Sequence, residues 1–180
     1  SVEARSPMDA LDAWFVAFID HVFARELALR PGEVARVRER LFTRFADPRT
    51  FTLYPGAREL CQSVRARGLA LGVISNWSER LPSLLAGLGL VPAVELVVCS
   101  ALERVEKPEP EIFRRALARA GVEASQAVHA GNDLEKDGLG PLSVGILPVM
   151  VDHQGTLGDS RFERVSSLSG LWTWIERRIT

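Results

Sequence analysis

Leu69-Ala70-Leu71-Gly72-Val73-Ile74-Ser75-Asn76-Trp77 is a short aliphatic run that stops abruptly at a serine and an asparagine. Apolar runs this short, closed by turn residues, predict a strand buried on both faces of a parallel sheet. The chain around it alternates. Pro55 opens a helix with Ala57, Leu60, Cys61 and Val64 on its inner side, and Gly68 is placed to end it. After the strand come a helix carrying Leu81, Leu84, Leu85 and Leu88, a strand over Leu96 to Cys99, and a helix after Pro108 with Ile112, Phe113, Ala116, Leu117 and Ala120 on one face. Ala127 to Ala130 and Ile146 to Val151 read as further strands around a helix from Asp133 to Val144, and Leu168 to Ile179 as a last amphipathic helix. Strands separated by helices imply right-handed crossovers and an α/β fold, with ligands at the carboxyl ends of the strands.

The first forty-odd residues differ: they read as helical throughout. Ser6-Pro7 offers a cap with proline at the first helical position. Leu11, Trp14, Phe15, Phe18, Ile19, Val22 and Phe23 then recur at helical spacing. A second helix begins near Pro31, carries Val34, Val37, Leu41 and Phe45, and is stopped by Asp47-Pro48. The predicted division is therefore a helical unit over residues 1–53 and an α/β core over residues 54–180.

Composition excludes some roles. The 180 residues carry a formal net charge of -1. That offers no basic excess to hold nucleic acid. The apolar runs are too short to span a bilayer, and no secretory signal is readable. Cys61 and Cys99 are too few for a disulfide framework and fit reduced thiols, which points to the cytoplasm. Oligomeric state stays open.

Three segments carry chemistry. Ser75 ends a buried strand, so its hydroxyl and the N–H groups of Asn76 and Trp77 are expected to face one phosphate oxygen. Lys107, in Glu106-Lys107-Pro108-Glu109-Pro110-Glu111-Ile112-Phe113, lies on a loop entering a helix, where its charge can neutralise a phosphoryl group. His129-Ala130-Gly131-Asn132-Asp133-Leu134-Glu135-Lys136-Asp137 is an acidic loop after a strand. There Asp137, with Asp133 or Glu135 nearby, can position Mg²⁺, which takes one or two carboxylates plus water and phosphate oxygens. His129 itself reads as a packed or hydrogen-bonded imidazole.

In this order the three segments resemble the haloacid dehalogenase superfamily, most of whose members hydrolyse phosphate esters with an aspartate nucleophile and Mg²⁺. The resemblance runs from the first helix to the C-terminus. It implies a three-layer parallel sheet of Rossmann type, with residues 1–53 as the helical cap and Tyr54-Pro55-Gly56-Ala57 as the return to the core. It assigns Ser75 and Asn76 to phosphate binding, Lys107 to phosphate binding and catalysis, and Asn132, Asp133 and Asp137 to the metal loop. The implied partner is a small phosphorylated molecule.

Two departures shape the expectation. Asn132 stands where the family's loop has its first aspartate, so Mg²⁺ is expected to bind weakly; Asp133 substitutes if the loop shifts by one residue. The family's nucleophile motif, D-x-D-G-T-L, does not precede Ser75. Either the chain lacks a first strand that carries that motif and is catalytically incomplete as given, or it is a non-catalytic relative that binds a ligand or partner. A third reading takes Asp152-His153-Gln154-Gly155-Thr156-Leu157 as a permuted nucleophile motif with Asp152 as nucleophile. Against it, Arg164-Val165-Ser166-Ser167-Leu168 suits the ordinary fifth strand and tail.

Overall fold

The computed structural model describes residues 15–158 and 161–179. The predicted start at Ser6-Pro7 and the apolar positions Leu11 and Trp14 lie outside them. Helix α1 (residues 15–26) ends in a π-helical stretch, His21–Glu26. Helix α2 (Pro31–Ala46) begins with proline and Glu33 in its first turn and stops at Asp47, whose carboxylate caps the turn Pro48–Thr50. Phe15 meets Phe42 and Phe45 edge-on at 5.1 and 5.5 Å, and Ile19 and Val34 are buried. Phe18 and Phe45 stay about half exposed, so the apolar face is only partly covered.

From residue 54 onward the elements follow the alternation read from the sequence: α3 (Ala57–Ala66), β1 (Gly72–Ser75), α4 (Leu81–Gly87), β2 (Leu96–Cys99), α5 (Ser100–Glu103), α6 (Pro110–Ala120), β3 (Val128–Gly131), a π-helical turn (Leu134–Leu139) running into the short α7 (Gly140–Leu142), β4 (Leu147–Val151), β5 (Glu163–Val165) and α8 (Leu168–Glu176). Three elements differ from the sequence reading, two of them for local reasons. β1 starts at Gly72 rather than Leu69. The helix expected over Asp133 to Val144 is broken into a π turn and one short helical turn, because Gly138, Gly140 and Pro141 interrupt it. β5 adds a strand within the segment that the resemblance treats as tail, since Glu163-Arg164-Val165 has no apolar run to mark it.

All strand pairs are parallel, but they form two sheets rather than one. β1 pairs with β2, and β3 pairs with β4, which pairs with β5. Among the described residues, β1 and β3 each keep one edge without a strand partner. Val128 on β3 is 43% exposed, unusual for a strand in a parallel α/β sheet. The two sheets are held together by α6. Its Ile112, Phe113 and Ala116 pack with Val98 and Ile74 of the first sheet and with Ile146 at the entrance to β4. Fully burying a Phe or Ile side chain contributes about 1.5–3 kcal/mol, so α6 is a substantial splint. A second cluster (Leu81, Leu85, Val94, Cys99) lies under α4, and a third (Val149, Val151, Leu171, Trp174) under α8. No helix among the described residues is long and apolar enough to cross a membrane.

Candidate active site

The loop leaving β1, the loop entering α6 and the loop leaving β3 meet at the carboxyl ends of the strands. Ser75 closes β1 opposite Cys99 of β2. It is half-buried, and its hydroxyl has no partner among the described residues. The next two residues are committed elsewhere. The Asn76 amide pairs with the backbone of Lys107, its Nδ2–H donating to the carbonyl at 2.9 Å and its Oδ1 accepting the N–H at 2.8 Å. The Trp77 N–H donates to Ser100 Oγ at 3.1 Å. The expectation that the Trp77 N–H faces a phosphate oxygen is thus corrected: a hydroxyl at the head of α5 has taken it. The Asn76 side chain likewise holds a loop.

Lys107 reaches Asp137, Nζ to Oδ1 at 2.5 Å, with the two side chains only 11% and 7% exposed. His129 of β3 donates Nε2–H to the same oxygen at 3.0 Å, and its ring stands edge-on to Phe113 at 5.4 Å. The other carboxylate oxygen of Asp137 accepts the N–H groups of Asn132 and Asp133, both at 3.1 Å. Burial pushes this carboxyl up, but the hydrogen bonds from His129 and Lys107 and the lysine's charge outweigh it. Asp137 is held well below the usual carboxylate range. The approach is so close that a Cβ on Gly131 would stand 2.2 Å from Asp137 Cγ; only glycine fits there.

Asp133 caps its own turn. Its Oδ1 accepts from the N–H groups of Glu135 and Lys136 and its Oδ2 from Lys136 Nζ, and the first of these N–H contacts in strength, from Lys136, lowers its pKa. The Asn132 side chain is exposed and has no partner among the described residues. These residues do not by themselves fit Mg²⁺. Both oxygens of Asp137 are taken, Asp133 is tied to Lys136 and the turn, and Asn132 brings no charge. Among the described residues no group of three His, Cys, Asp or Glu side chains gathers in a way that could hold a metal.

Asp152, the permuted candidate, is buried at the end of β4. It accepts from the N–H groups of Thr156 and Leu157, at 3.0 and 3.3 Å, and lies 3.4 Å from Arg164 Nη1. Its carboxylate organises its own loop, beside a cavity of about 340 Å³ lined with Gly155, Arg164, Val165 and Ser166. Both oxygens are engaged in holding this loop and Arg164, the part of a loop-organising carboxylate rather than of a nucleophile presented to substrate.

A sequence profile described as haloacid dehalogenase-like hydrolase matches residues 6–145. The chain belongs to that family. It is 34% identical over 141 residues to haloacid dehalogenase-like hydrolase domain-containing protein 3 of Danio rerio, covering 78% of this chain and 58% of the relative. It is 35% identical over 147 residues to a phosphoserine phosphatase of Thermus thermophilus, covering 81% of this chain and 59% of the relative. The chain thus spans little more than half the length of the curated relatives it matches. Its fold is that of the crystal structure of a phosphatase of this family from Thermococcus onnurineus, at a TM-score of 0.71, 22% identity, and coverage of 94% of this chain and 90% of that one. The split sheet is therefore a Rossmann-like α/β core.

Proposed function

We propose that the chain carries the anion-binding side of a phosphoric monoester hydrolase site and that, as given, it does not turn over. The observation that carries the reading is the meeting of Ser75, Lys107 and the 132–137 loop at the ends of β1 and β3, each of which has, among the described residues, an edge without a strand partner. Ser75 offers a hydroxyl without a partner among the described residues. Lys107 has three N–H donors, of which Asp137 takes one, leaving two for an anion. A strand seated between β1 and β3 would end beside both residues and beside the metal loop. A carboxylate at its end would supply the nucleophile and the negative charge that the described residues lack for Mg²⁺. The phosphatase named among the relatives supports a small phosphorylated molecule as ligand, and two unbonded thiols suit a reducing compartment.

A non-catalytic role in binding a ligand uses the same anion site, and the pairing of Lys107 with Asp137 is the observation that favours it. Both readings require Lys107 to bind anions. Inorganic phosphate titrated into the chain should bind weakly, and Lys107→Ala should weaken binding by about ten-fold, the value of one charge-assisted hydrogen bond. Equal affinity in the variant would reject the site.

A further inference from the structure

Asn76 uses both polar atoms of its side chain on a single residue 31 positions away. Its amide lies against the peptide edge of Lys107, donor to carbonyl and acceptor to N–H. A primary amide presents a donor and an acceptor side by side, which few other side chains do. An alanine would present neither. A carboxylate would present two acceptors and set one of them against the Lys107 carbonyl.

Two such bonds fix the backbone of Lys107 at two points, and therefore the direction in which its side chain leaves the loop. Asp137 fixes the far end at 2.5 Å. Asn76 is also the residue next to Ser75, so the same short segment presents the hydroxyl and sets the lysine. We propose that Asn76 is a positioning residue: it does not touch the anion, but fixes where the Lys107 ammonium stands relative to Ser75 and thereby sets anion affinity. This rests on reading Ser75 and Lys107 as an anion-binding pair. It departs from the sequence expectation that Asn76 binds phosphate itself.

The test uses the 180-residue chain, its Asn76→Ala, Asn76→Asp and Lys107→Ala variants, and inorganic sulfate, whose charge is constant over the range needed. Hydrogen exchange at the Lys107 amide reports the clamp, with the Val149 amide in the buried β4 as control for global stability. Asn76→Ala should speed exchange at Lys107 by about ten-fold relative to Val149 and weaken sulfate by a similar factor. Asn76→Asp should behave like Asn76→Ala near about pH 7. Near about pH 3.5, below the ordinary aspartate pKa of about 3.9, it should regain protection and affinity, because the neutral acid again offers one donor and one acceptor. Any pH response of the Lys107, Asp137 and His129 cluster is common to parent and variants, so comparison at each pH isolates the introduced acid.

Unchanged exchange at Lys107 in Asn76→Ala would overturn the clamp. Weaker sulfate binding without faster exchange would overturn it too, in favour of direct contact. Asn76→Asp failing to separate from Asn76→Ala in acid would show that the amide's pairing pattern is not what matters. If Lys107→Ala binds sulfate as well as the parent, the anion-site reading fails and the proposed effect on affinity falls with it, while exchange still decides the clamp.

Discussion

Asp137→Asn is the substitution whose cost follows most directly from the geometry. The native carboxylate accepts four hydrogen bonds, two from Lys107 and His129 at one oxygen and two from backbone N–H groups at the other. Asparagine fills the same volume but has one acceptor oxygen and one amino group. If its oxygen keeps the backbone N–H groups, its amino group faces the Lys107 ammonium and the His129 N–H. If it is turned round, the amino group faces the two backbone donors. Either way a donor meets a donor, since His129 alone can turn acceptor by changing tautomer, and the ion pair is gone. Removing one partner of a buried pair costs about 3–5 kcal/mol. Lys107 can swing partly into water, which places this case near the lower end. About 3 kcal/mol at this chain length corresponds to a melting temperature lower by about 6–12 °C. Urea and thermal denaturation of parent and variant at neutral pH measure it. A loss below about 1 kcal/mol, in the range of an exposed pair, would refute the view of Asp137 as the hub of this loop.

Other expectations follow from the same contacts. The Asp137 carboxyl titrates lower in the folded chain than in the unfolded one, so its contribution to stability is present above the unfolded value of about 3.9 and is lost as pH falls below it. The parent should therefore lose stability more steeply below about pH 4 than Asp137→Asn, and parallel curves would remove the basis for that shift. Gly131→Ala places a methyl group against Asp137 and should destabilise the chain by about 1–3 kcal/mol through overpacking; a neutral result in denaturation would mean that the loop yields without cost.

Much of this site was legible in the sequence because its parts are local. The run ending at Ser75, the Lys107-Pro108 helix entry and the loop from Gly131 to Asp137 each announce an element boundary, and alternation then brings them to one edge. What stayed hidden depends on contacts between distant residues. Nothing near Asn76 shows that its amide will pair with a peptide 31 residues on, nor that Ser100 will take the Trp77 N–H. Asp137 reads equally well as a metal ligand or as the partner of Lys107. Only the buried geometry shows all four of its contacts in place. The separation of the sheet between β1 and β3 was likewise beyond periodicity, which marks strands but not their neighbours. β5 escaped because Glu163-Arg164-Val165 lacks the aliphatic run that distinguishes the other strands.

Hydrolysis of a generic aryl phosphate, with and without Mg²⁺, tests the proposed function most directly. The chain and its Asn132→Asp variant should release product no faster than a blank, because among the described residues no unengaged carboxylate stands beside Ser75 and Lys107 to act as nucleophile. A chain extended by a strand that carries two aspartates into the edge between β1 and β3 should turn over when Mg²⁺ is present. Robust turnover by the 180-residue chain itself, or by Asn132→Asp alone, would show that a nucleophile is already in place and would contradict the reading of an anion site awaiting its carboxylate strand.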